Sequence, residues 1–491
     1  MRLYQKCHVA VAFLAAITFL ASCSKGKKPF LFLPLLEGGS ATSLSIGDGS
    51  TASPDNQSVV AENADQTGET DFNFQTTQEI TVDVTVTDPN GPVQGAIVNI
   101  TDPDQGGISV FQGVTDENGN VGGQLTIPTT SGELELVVQV GETVATQPVS
   151  TDNLIGIDRN IQFTQPTDAA QIADADADGV PDGLDYYPQD ATRSSRLIYP
   201  AGGVSVVAFE DLYPKAGDAD FNDLVIQVKN EEDRDANGQV VRLRGEYRVL
   251  ARGAGYKHNL FLNLPGHGVA HIVLRDGAGQ VVADVTRSLS SFEALPVFPK
   301  SVDYFVNPAM DSAALYDSSV LCPRMCNVYE GSQYVKGYTA DVEVIFEEPV
   351  PTLPSAPYDL FIYVLNTRKQ IHFPGMVAGA TDPYIDANGF PWALKMPAEW
   401  NWPLERKHIE SGYPQFKSWY ESRGATDRDW YLQTTPESSD NLYRYFIRSP
   451  IAAYFLQYGL SHHSLLWAFV SVVLIGLIVL LFLKGRPESE A

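Results

Sequence analysis

Apolar and polar residues alternate over several stretches of this chain, and a period of two restricts those stretches to β-strands. The apolar side chains of residues 80–86 would share one face of a strand, because successive side chains of a strand point to opposite sides. Residues 88–91 supply turn chemistry, and the alternation resumes over residues 96–100 and 134–140. We therefore predict a small antiparallel β-sandwich over residues 79–165.

The turns of this region carry two short motifs. Asn118-Gly119 predicts a second hairpin, and the pattern G-A-x-V that begins at Gly95 follows the first turn. Both motifs are similar to those of immunoglobulin-like or transthyretin-like domains of bacterial surface proteins. The resemblance implies a spacer or presentation module, and the stretch contains no catalytic constellation.

Composition argues against one class of partner. The 491 residues include 60 acidic and 33 basic side chains, for a formal net charge of −27, and no Lys or Arg occurs between Lys28 and Arg159. Affinity for a phosphate backbone comes mainly from Lys and Arg. We therefore expect no nucleic-acid partner, and the length allows two or three domains.

The first residues have the form of an export signal. Two basic residues precede an apolar stretch over residues 9–20, and the sequence Leu-Ala-Ser-Cys follows at residues 20–23. This segment resembles a bacterial lipoprotein signal, which implies removal of residues 1–22 and acylation of Cys23 (palmitate). An ordinary signal peptide or an uncleaved membrane helix is the alternative.

A second apolar segment lies near the C-terminus. Residues 465–483 contain no charge and are long enough for about 28 Å of helix, so we predict a transmembrane helix within the tail 441–491. The polar residues 23–78 would form a flexible tether between the lipid anchor and the sandwich. The tail is either retained or removed, as in sorting tails. Most of the chain would lie at the outer membrane and cell surface or on the periplasmic face of the inner membrane.

Aspartates are dense after the predicted sandwich. Carboxylates at every second residue, with Gly179 permitting a sharp turn, suit Ca²⁺, which binds about six to eight oxygens. A solvated acidic linker is the alternative. The predicted calcium ligands are Asp174, Asp176, Asp178, Asp182 and Asp185.

The spacing of these aspartates is that of a known repeat. From Asp174 to Pro188 the chain follows D-x-D-x-D-G-x-x-D-x-x-D-x-x-P, which resembles the thrombospondin type 3 calcium repeat. A helix-loop-helix hand fits less well, since Asp185 replaces the usual glutamate and no helical pattern flanks the loop. The resemblance implies a calcium-binding joint over residues 166–192.

A second acidic cluster lies between two predicted strands, within residues 210–223. Alternation sends the apolar side chains of this stretch towards a core and gathers its oxygens on the connecting loop. Several acids and one asparagine are more typical of an oxygen cage around a cation than of an acid and a base. A carboxylate pair of a hydrolase is the alternative.

The same stretch opens a series of motifs: FEDLYPKAGDADFNDLVI, YRVLARGAGYKHNLFLNLPG, IHFPG and WPLERKHIESGYPQFKSWYESRGATDRDWY. Over residues 200–432 they resemble the LruC-domain family of exported bacterial proteins. The resemblance implies a β-rich extracytoplasmic domain, here residues 193–440, often on surface lipoproteins and without established enzymatic activity. Calcium binding by this cluster is our inference from the residue types. The motif positions are Asp211, Asp218, Asp220, Asn222 and Asp223.

Two cysteines stay in the chain after the predicted processing. Cys322 and Cys326 are close in sequence, and in an oxidising compartment they predict a disulfide, with a redox or metal role as the alternative. His267 and His271 would lie more than about 12 Å apart on a strand, so we do not expect them to share a metal.

The end of this domain has a helical pattern. Pro403 would begin a helix, and the chain would break near Pro414. One or two short helices would then pack an aromatic face on the sheet. The residues of that face are Ile409, Tyr413, Phe416 and Trp419.

Together these features predict a mainly β, non-catalytic, calcium-stabilised lipoprotein of the cell envelope or surface, with a binding, adhesive or structural role. Its partners would be the membrane and a surface protein or glycan. The sequence contains no G-x-S-x-G, H-E-x-x-H, Walker or C-x-x-C pattern. A glycan-directed hydrolase of the cell envelope, using carboxylates of residues 210–223, is the alternative.

Overall fold

The protein is described here from a computed structural model. The described residues are 43–45, 59–67, 76–141, 143–167, 174–180, 182, 185–215, 217–351, 353–376, 383–386 and 390–445. The predicted signal peptide, Cys23 and the predicted membrane helix of residues 465–483 lie outside these ranges. Within them, no helix has the length and hydropathy needed to cross a membrane.

Two sheets form the N-terminal sandwich. Its strands are β1 (Ser43–Ser45), β2 (Val59–Asn63), β3 (Gln66–Thr67), β4 (Thr77–Asp88), β5 (Gly91–Pro92), β6 (Ile97–Asp102), β7 (Ile108–Val114), β8 (Asn120–Pro128), β9 (Glu133–Val140), β10 (Thr143–Ser150) and β11 (Leu154–Phe163). A 3₁₀ helix, Pro103–Gln105, joins β6 to β7. One sheet has the order β1-β10-β9-β6-β7, and the other has the order β2-β11-β4-β5, with β3 also paired to β11 and β8 to β4.

The alternation in β4 and β9 explains why the two sheets pack face to face. Every second residue of β4 from Ile80 to Val86, and of β9 from Leu134 to Val140, is buried. These side chains share one core with Phe111 of β7. Burial of apolar surface stabilises the sandwich by roughly 25 cal/mol per Å². The prediction of a mainly β fold is confirmed.

The predicted tether is corrected over its C-terminal part, because residues 59–67 form strands. β2 pairs with β11 in antiparallel register, and Val59 and Ala61 pack against the sandwich core. β1 also falls within the predicted tether and pairs in parallel with β10. A few apolar residues suffice here because the edges of both sheets offer unpaired backbone groups.

The predicted hairpin at Asn118-Gly119 is wrong, although the turn is present. Asp116 Oδ1 accepts hydrogen bonds from the amides of Asn118 and Asn120, each at 2.8 Å, and Gly119 has a φ of +75°. The strands on either side belong to different sheets, since β7 pairs with β6 and β8 pairs with β4. Crossing between the sheets lets both strands bury an apolar face in one core.

The C-terminal region is built on a second pair of sheets. Its strands are β12 (Ser195–Tyr199), β13 (Ser205–Phe209), β14 (Leu224–Arg234), β15 (Val240–Ala251), β16 (His258–Leu264), β17 (Gly268–Arg275), β18 (Val281–Leu289), β19 (Phe292–Pro296), β20 (Thr339–Val350), β21 (Asp359–Val364), β22 (Lys369–Ile371) and β23 (Ala393–Met396). The larger sheet has the order β18-β17-β20-β15-β14-β13-β23, with β12 also paired to β14, and the smaller has the order β19-β16-β21-β22.

Short helices complete this region. They are α1 (Ser318–Leu321), α2 (Ile409–Gly412), α3 (Phe416–Glu421) and α4 (Pro436–Ser439), with 3₁₀ helices at Val302–Val306 and Trp430–Leu432.

The larger sheet is covered on both faces at β13, at the start of β14 and at β23. Val207 and Leu224 point into the core between the two sheets, whereas Val206, Ala208 and Val225 point to the opposite face. Because both faces are buried there, β13 and the first three residues of β14 read as continuous apolar runs, whereas burial alternates further along β14.

The opposite face is covered by an aromatic layer, which we define as residues 400–431. All four side chains predicted to face the sheet are buried in this layer, which confirms that prediction, and the break between α2 and α3 contains Pro414. Pro403 does not begin a helix and instead forms a β-bridge with Leu442. The extended conformation is favoured because Trp402 stacks on Tyr443, with ring centroids 5.3 Å apart.

A buried lysine links the two sandwiches. Lys395 Nζ donates to Ser355 Oγ at 2.6 Å, and the Ser355 amide donates to Glu79 Oε1. Thr76 Oγ1 donates to the Lys395 carbonyl at 2.6 Å. Burial disfavours the ammonium form and lowers the pKa of Lys395 to about 8, although nearby Glu79 acts in the opposite direction.

This shift predicts a pH dependence of stability. Between pH 8 and 10.5 the unfolded chain holds a proton on Lys395 that the folded chain has lost, so this group makes the free energy of unfolding rise there by roughly 1.4 kcal/mol per pH unit. Below pH 8 both states are protonated and the contribution is constant. Lys395→Met should flatten the rise in urea titrations at several pH values. The exposed Lys369→Met is the control, and an unchanged slope in Lys395→Met would contradict the assignment.

Candidate metal centres

The first candidate centre is the loop of residues 174–185. Asp174 accepts hydrogen bonds from the amides of Ala177, at 2.7 Å, and Gly179, at 3.0 Å, and Asp182 accepts one from Ala175 at 2.7 Å. Backbone amides of this loop thus surround the carboxylates of its own aspartates. Gly179 has a φ of +98°, which supports the predicted sharp turn.

Three carboxylate oxygens of this loop are buried. Asp178 Oδ1 accepts from Val180 at 2.8 Å and Asp185 Oδ1 accepts from Tyr187 at 2.6 Å. The second oxygens, Oδ2 of Asp176, Asp178 and Asp185, have no hydrogen-bond partner among the described residues. One oxygen each of Asp174, Asp176 and Asp178 lies within 4.8 Å of the others.

The protonation behaviour of the loop follows from this crowding. Burial raises the pKa of Asp185 to about 6, and the charges of Asp178 and Asp176 act in the same direction. Burial and neighbouring aspartates also raise the pKa of Asp178. Anionic oxygens at this spacing repel one another unless a cation lies between them.

The loop is joined to the larger sheet through a buried aspartate, Asp233 of β14. Tyr187 donates to Asp233 Oδ1 at 2.7 Å, and Arg193 lies over the Tyr187 ring at 4.2 Å. Arg242 and Arg244 of β15 form ion pairs with the same carboxylate. In contrast to the loop, this acid obtains its counter-charge from the chain.

The second candidate centre lies between β13 and β14. Glu210, Asp218 and Asp220 each offer an oxygen within 4.8 Å of the others. Glu210 Oε1 accepts from the Phe221 amide at 2.6 Å, and Asp220 Oδ2 accepts from the Arg406 amide at 2.7 Å. Burial, and then the charge of Asp220, raise the pKa of Glu210 well above its usual range, and burial and Asp218 raise that of Asp220 to about 7.

Two further oxygens converge beside this cluster, since the Asn222 backbone amide donates to Asp220 Oδ1 at 3.2 Å and the charge of Glu405 contributes to the raised pKa of Asp220. Asn222 is fully buried, and a Cβ on Gly253 would lie 1.7 Å from its Oδ1 and 2.8 Å from Glu405 Oε2. A Cβ on Gly217 would lie 2.2 Å from Glu210 Oε2. The two glycines therefore leave room for converging oxygens that any other residue would fill.

The structure divides the predicted ligands of this cluster. Asp218, Asp220 and Asn222 lie together, whereas Asp211 Oδ2 contacts His258 Nε2 at 2.9 Å, and Asp223 Oδ2 accepts from the Asp211 amide at 2.7 Å. The sequence reading did not assign Glu210 or Glu405. Glu210 adjoins Asp211 and belongs to the same motif, which is a usable signal, whereas Glu405 is distant in sequence and is marked only by its place in the motif that begins at Trp402.

Asp211 belongs to a buried Ser-His-Asp set that differs from a nucleophilic triad. Ser318 Oγ lies 3.1 Å from His258 Nδ1 and the carboxylate contacts Nε2, the reverse of the catalytic arrangement. Ser318 is fully buried, and its Oγ accepts from the His258 amide and from Arg252 Nε. These contacts link β16 and α1 to the loop between β13 and β14.

The remaining predicted positions lie elsewhere. Cys322 and Cys326 form a disulfide directly after α1, with Cα atoms 6.0 Å apart. His267 contacts Glu347 at 3.3 Å, and His271 contacts Asp284 at 2.9 Å, so the two histidines have separate partners.

Comparisons with known proteins give one family match. Residues 238–431, less than half of the chain, match a family described as "Domain of unknown function (DUF4842)". The match lies within the predicted LruC domain, but its description does not carry the LruC name, so that assignment stays a prediction. No curated protein matches this chain.

Among solved structures, the chain is similar to a crystal structure named "Putative lipoprotein from Bacteroides ovatus". The identity is 17%, the TM-score is 0.41, and the likeness covers 71% of this chain and 99% of the other. A similarity of this size carries no argument about function.

The buried joint at Asp233 generates a prediction. Asp233→Ala would leave Arg242 and Arg244 without their shared carboxylate, and loss of one member of a buried ion pair costs roughly 3–5 kcal/mol. We expect a fall of that size in the free energy of unfolding, measured by denaturant titration. Asp341→Ala, which removes a half-exposed partner of Arg275, should cost less than about 1 kcal/mol. Equal effects of the two variants would contradict the role of Asp233.

Proposed function

We propose that this chain is a non-catalytic protein of the cell envelope, anchored as a lipoprotein, whose folded form is stabilised by Ca²⁺. Its role is to bind or present a surface protein or glycan, or to act as a structural element. The single observation that carries the calcium part is the set of three buried, unpartnered oxygens in residues 174–185.

The donor chemistry of this loop suits calcium. All candidate ligands are oxygens, and Ca²⁺ accepts carboxylate and backbone oxygens in flexible geometry. Asp174, Asp176 and Asp178 already present converging oxygens, and hydrogen bonds to backbone amides orient them. When bound, the ion would neutralise the mutual repulsion and hold the joint between the two sandwiches in one conformation.

The envelope location follows from the sequence. Three features of the sequence fit an exported, membrane-anchored chain. They are residues 20–23, which resemble the end of a lipoprotein signal, the apolar residues 465–483 and the anionic composition. A disulfide between Cys322 and Cys326 fits an oxidising compartment.

A hydrolase is the second candidate, because Asp220 has a pKa raised to about 7 beside Glu210, and a raised carboxyl pKa suits a general acid. Against it, both side chains are nearly fully buried, so a glycan has no path to them without rearrangement. Turnover of cell-envelope glycans that Asp220→Asn abolishes, with an unchanged calcium response, would favour this candidate.

Calcium withdrawal is the direct test of the proposal. At a calcium concentration about 100-fold above Kd, binding stabilises the folded state by roughly 2.7 kcal/mol, which raises Tm by about 5–10 °C for a domain of this size. In full-length protein in detergent, Asp178→Asn should lose at least half of this calcium-dependent shift in scanning calorimetry.

Asp190→Asn is the matched control. Hydrogen bonds from Thr192 and Arg193 lower the pKa of Asp190 to about 2, so this aspartate of the same stretch has its partners within the chain. Its calcium-dependent shift should equal that of the wild type. A wild-type Tm that is the same in chelator and in calcium, together with no bound metal by elemental analysis, would overturn the proposal.

A further inference from the structure

We infer that Glu210, Asp218, Asp220, Asn222 and Glu405 form a second calcium site, which we name the cage, and that its ion fastens the aromatic layer to the larger sheet. The cage is separate from the loop of residues 174–185 and does not depend on it.

Two buried side chains point to a ligand in the cage. Glu210 is 2% exposed and Asn222 is 0% exposed. Glu210 Oε2 and Asn222 Oδ1 are nevertheless without a hydrogen-bond partner in the part of the chain that the structure describes. A buried polar atom left unpaired loses its hydrogen bonds to water without compensation, and the cost is greater when the group is charged. Glu210 Oε2 lies in the space that the missing Cβ of Gly217 leaves, and Asn222 Oδ1 lies in the space that the missing Cβ of Gly253 leaves.

Cationic side chains of the described residues do not balance the charge of the cage. Arg406 Nε lies 3.7 Å from Glu405 Oε1, but the Arg406 side chain is 82% exposed and its charge is screened by water. His258 contacts Asp211 at 2.9 Å, and Arg252 donates to Ser318 and to two backbone carbonyls. The oxygens of Glu210, Asp218 and Asp220 therefore converge with little positive charge from the described residues, and burial raises the pKa of neighbouring Glu405 as well as those of Glu210 and Asp220.

The cage brings together two segments that are distant in sequence. The Ile409 amide donates to the Ala219 carbonyl at 2.8 Å, and Asn222 Nδ2 donates to the Pro403 carbonyl at 3.1 Å. Glu405, in the segment between them, directs Oε2 to the same side as Asn222 Oδ1. An ion held by Glu405 and by the acids of residues 210–220 would add an ionic link between the larger sheet and the aromatic layer.

The ligand chemistry selects the ion. Four carboxylates and one amide provide only oxygens, without the His or Cys that zinc prefers. Their irregular arrangement on a loop and an extended segment suits Ca²⁺ better than Mg²⁺, which requires near-octahedral geometry and retains its water. Asp218 is exposed, so the ion has a path from solvent.

Equilibrium dialysis of calcium against the full-length protein in detergent tests the site. The wild type should bind two ions per chain, and Asp218→Asn and Asp178→Asn should each bind one at the same free calcium concentration. Asp218 is exposed, so Asp218→Asn tests the cage without threatening the fold. Wild-type stoichiometry and affinity in Asp218→Asn would overturn the cage. Loss of an ion in Asp218→Asn but not in Asp178→Asn would support the cage and contradict the proposed loop site.

Hydrogen exchange tests the fastening. Calcium should slow exchange of amides in residues 400–431 at least tenfold in the wild type and in Asp178→Asn, but not in Glu405→Gln. Glu399→Gln is the matched control, since Glu399 is an exposed acid that directly precedes the aromatic layer and lies outside the cage. Exchange in residues 400–431 that is insensitive to calcium in the wild type, or a full calcium effect in Glu405→Gln, would overturn the fastening role.

Discussion

Burial of carboxylate oxygens without a counter-charge from the chain is the constraint on which the rest of this structure depends. Asp233 illustrates the ordinary solution, because Arg242, Arg244 and Tyr187 supply its partners. The loop of residues 174–185 and the cage lack such partners among the described residues, yet their oxygens converge. Electrostatic repulsion at these distances opposes folding, and an oxygen-binding cation at either place would relieve that repulsion.

The layers of the fold explain why both candidate centres lie where they do. β13 and the first residues of β14 are apolar on both faces, so the acidic side chains of this part of the sheet are gathered at the two ends of β14. One such end, at β13 and β14, meets the aromatic layer, and the other end of β14 meets the linker from the N-terminal sandwich. Ions at these two positions would stabilise the contacts between layers rather than any single layer.

Much of this arrangement could be predicted because its determinants are local. Period-two alternation identified β4 and β9, and three- and four-residue spacing identified the buried face of α2 and α3. The aspartates of residues 174–185 lie within one short loop, so their spacing alone brings the oxygens together. The prediction of a hairpin at Asn118-Gly119 was wrong because its signal is also local. A turn motif specifies the turn but not which sheet the next strand joins.

The sequence by itself determined the β-strand character, the aspartate loop and the polar residues of the acidic motif, because each depends on neighbours within about a dozen positions. Only the tertiary structure decided that Asp211 pairs with His258, and that Glu405 joins Asn222 across Gly253. Those contacts depend on how β13, β16 and the aromatic layer pack, and packing is set by the whole core rather than by local spacing.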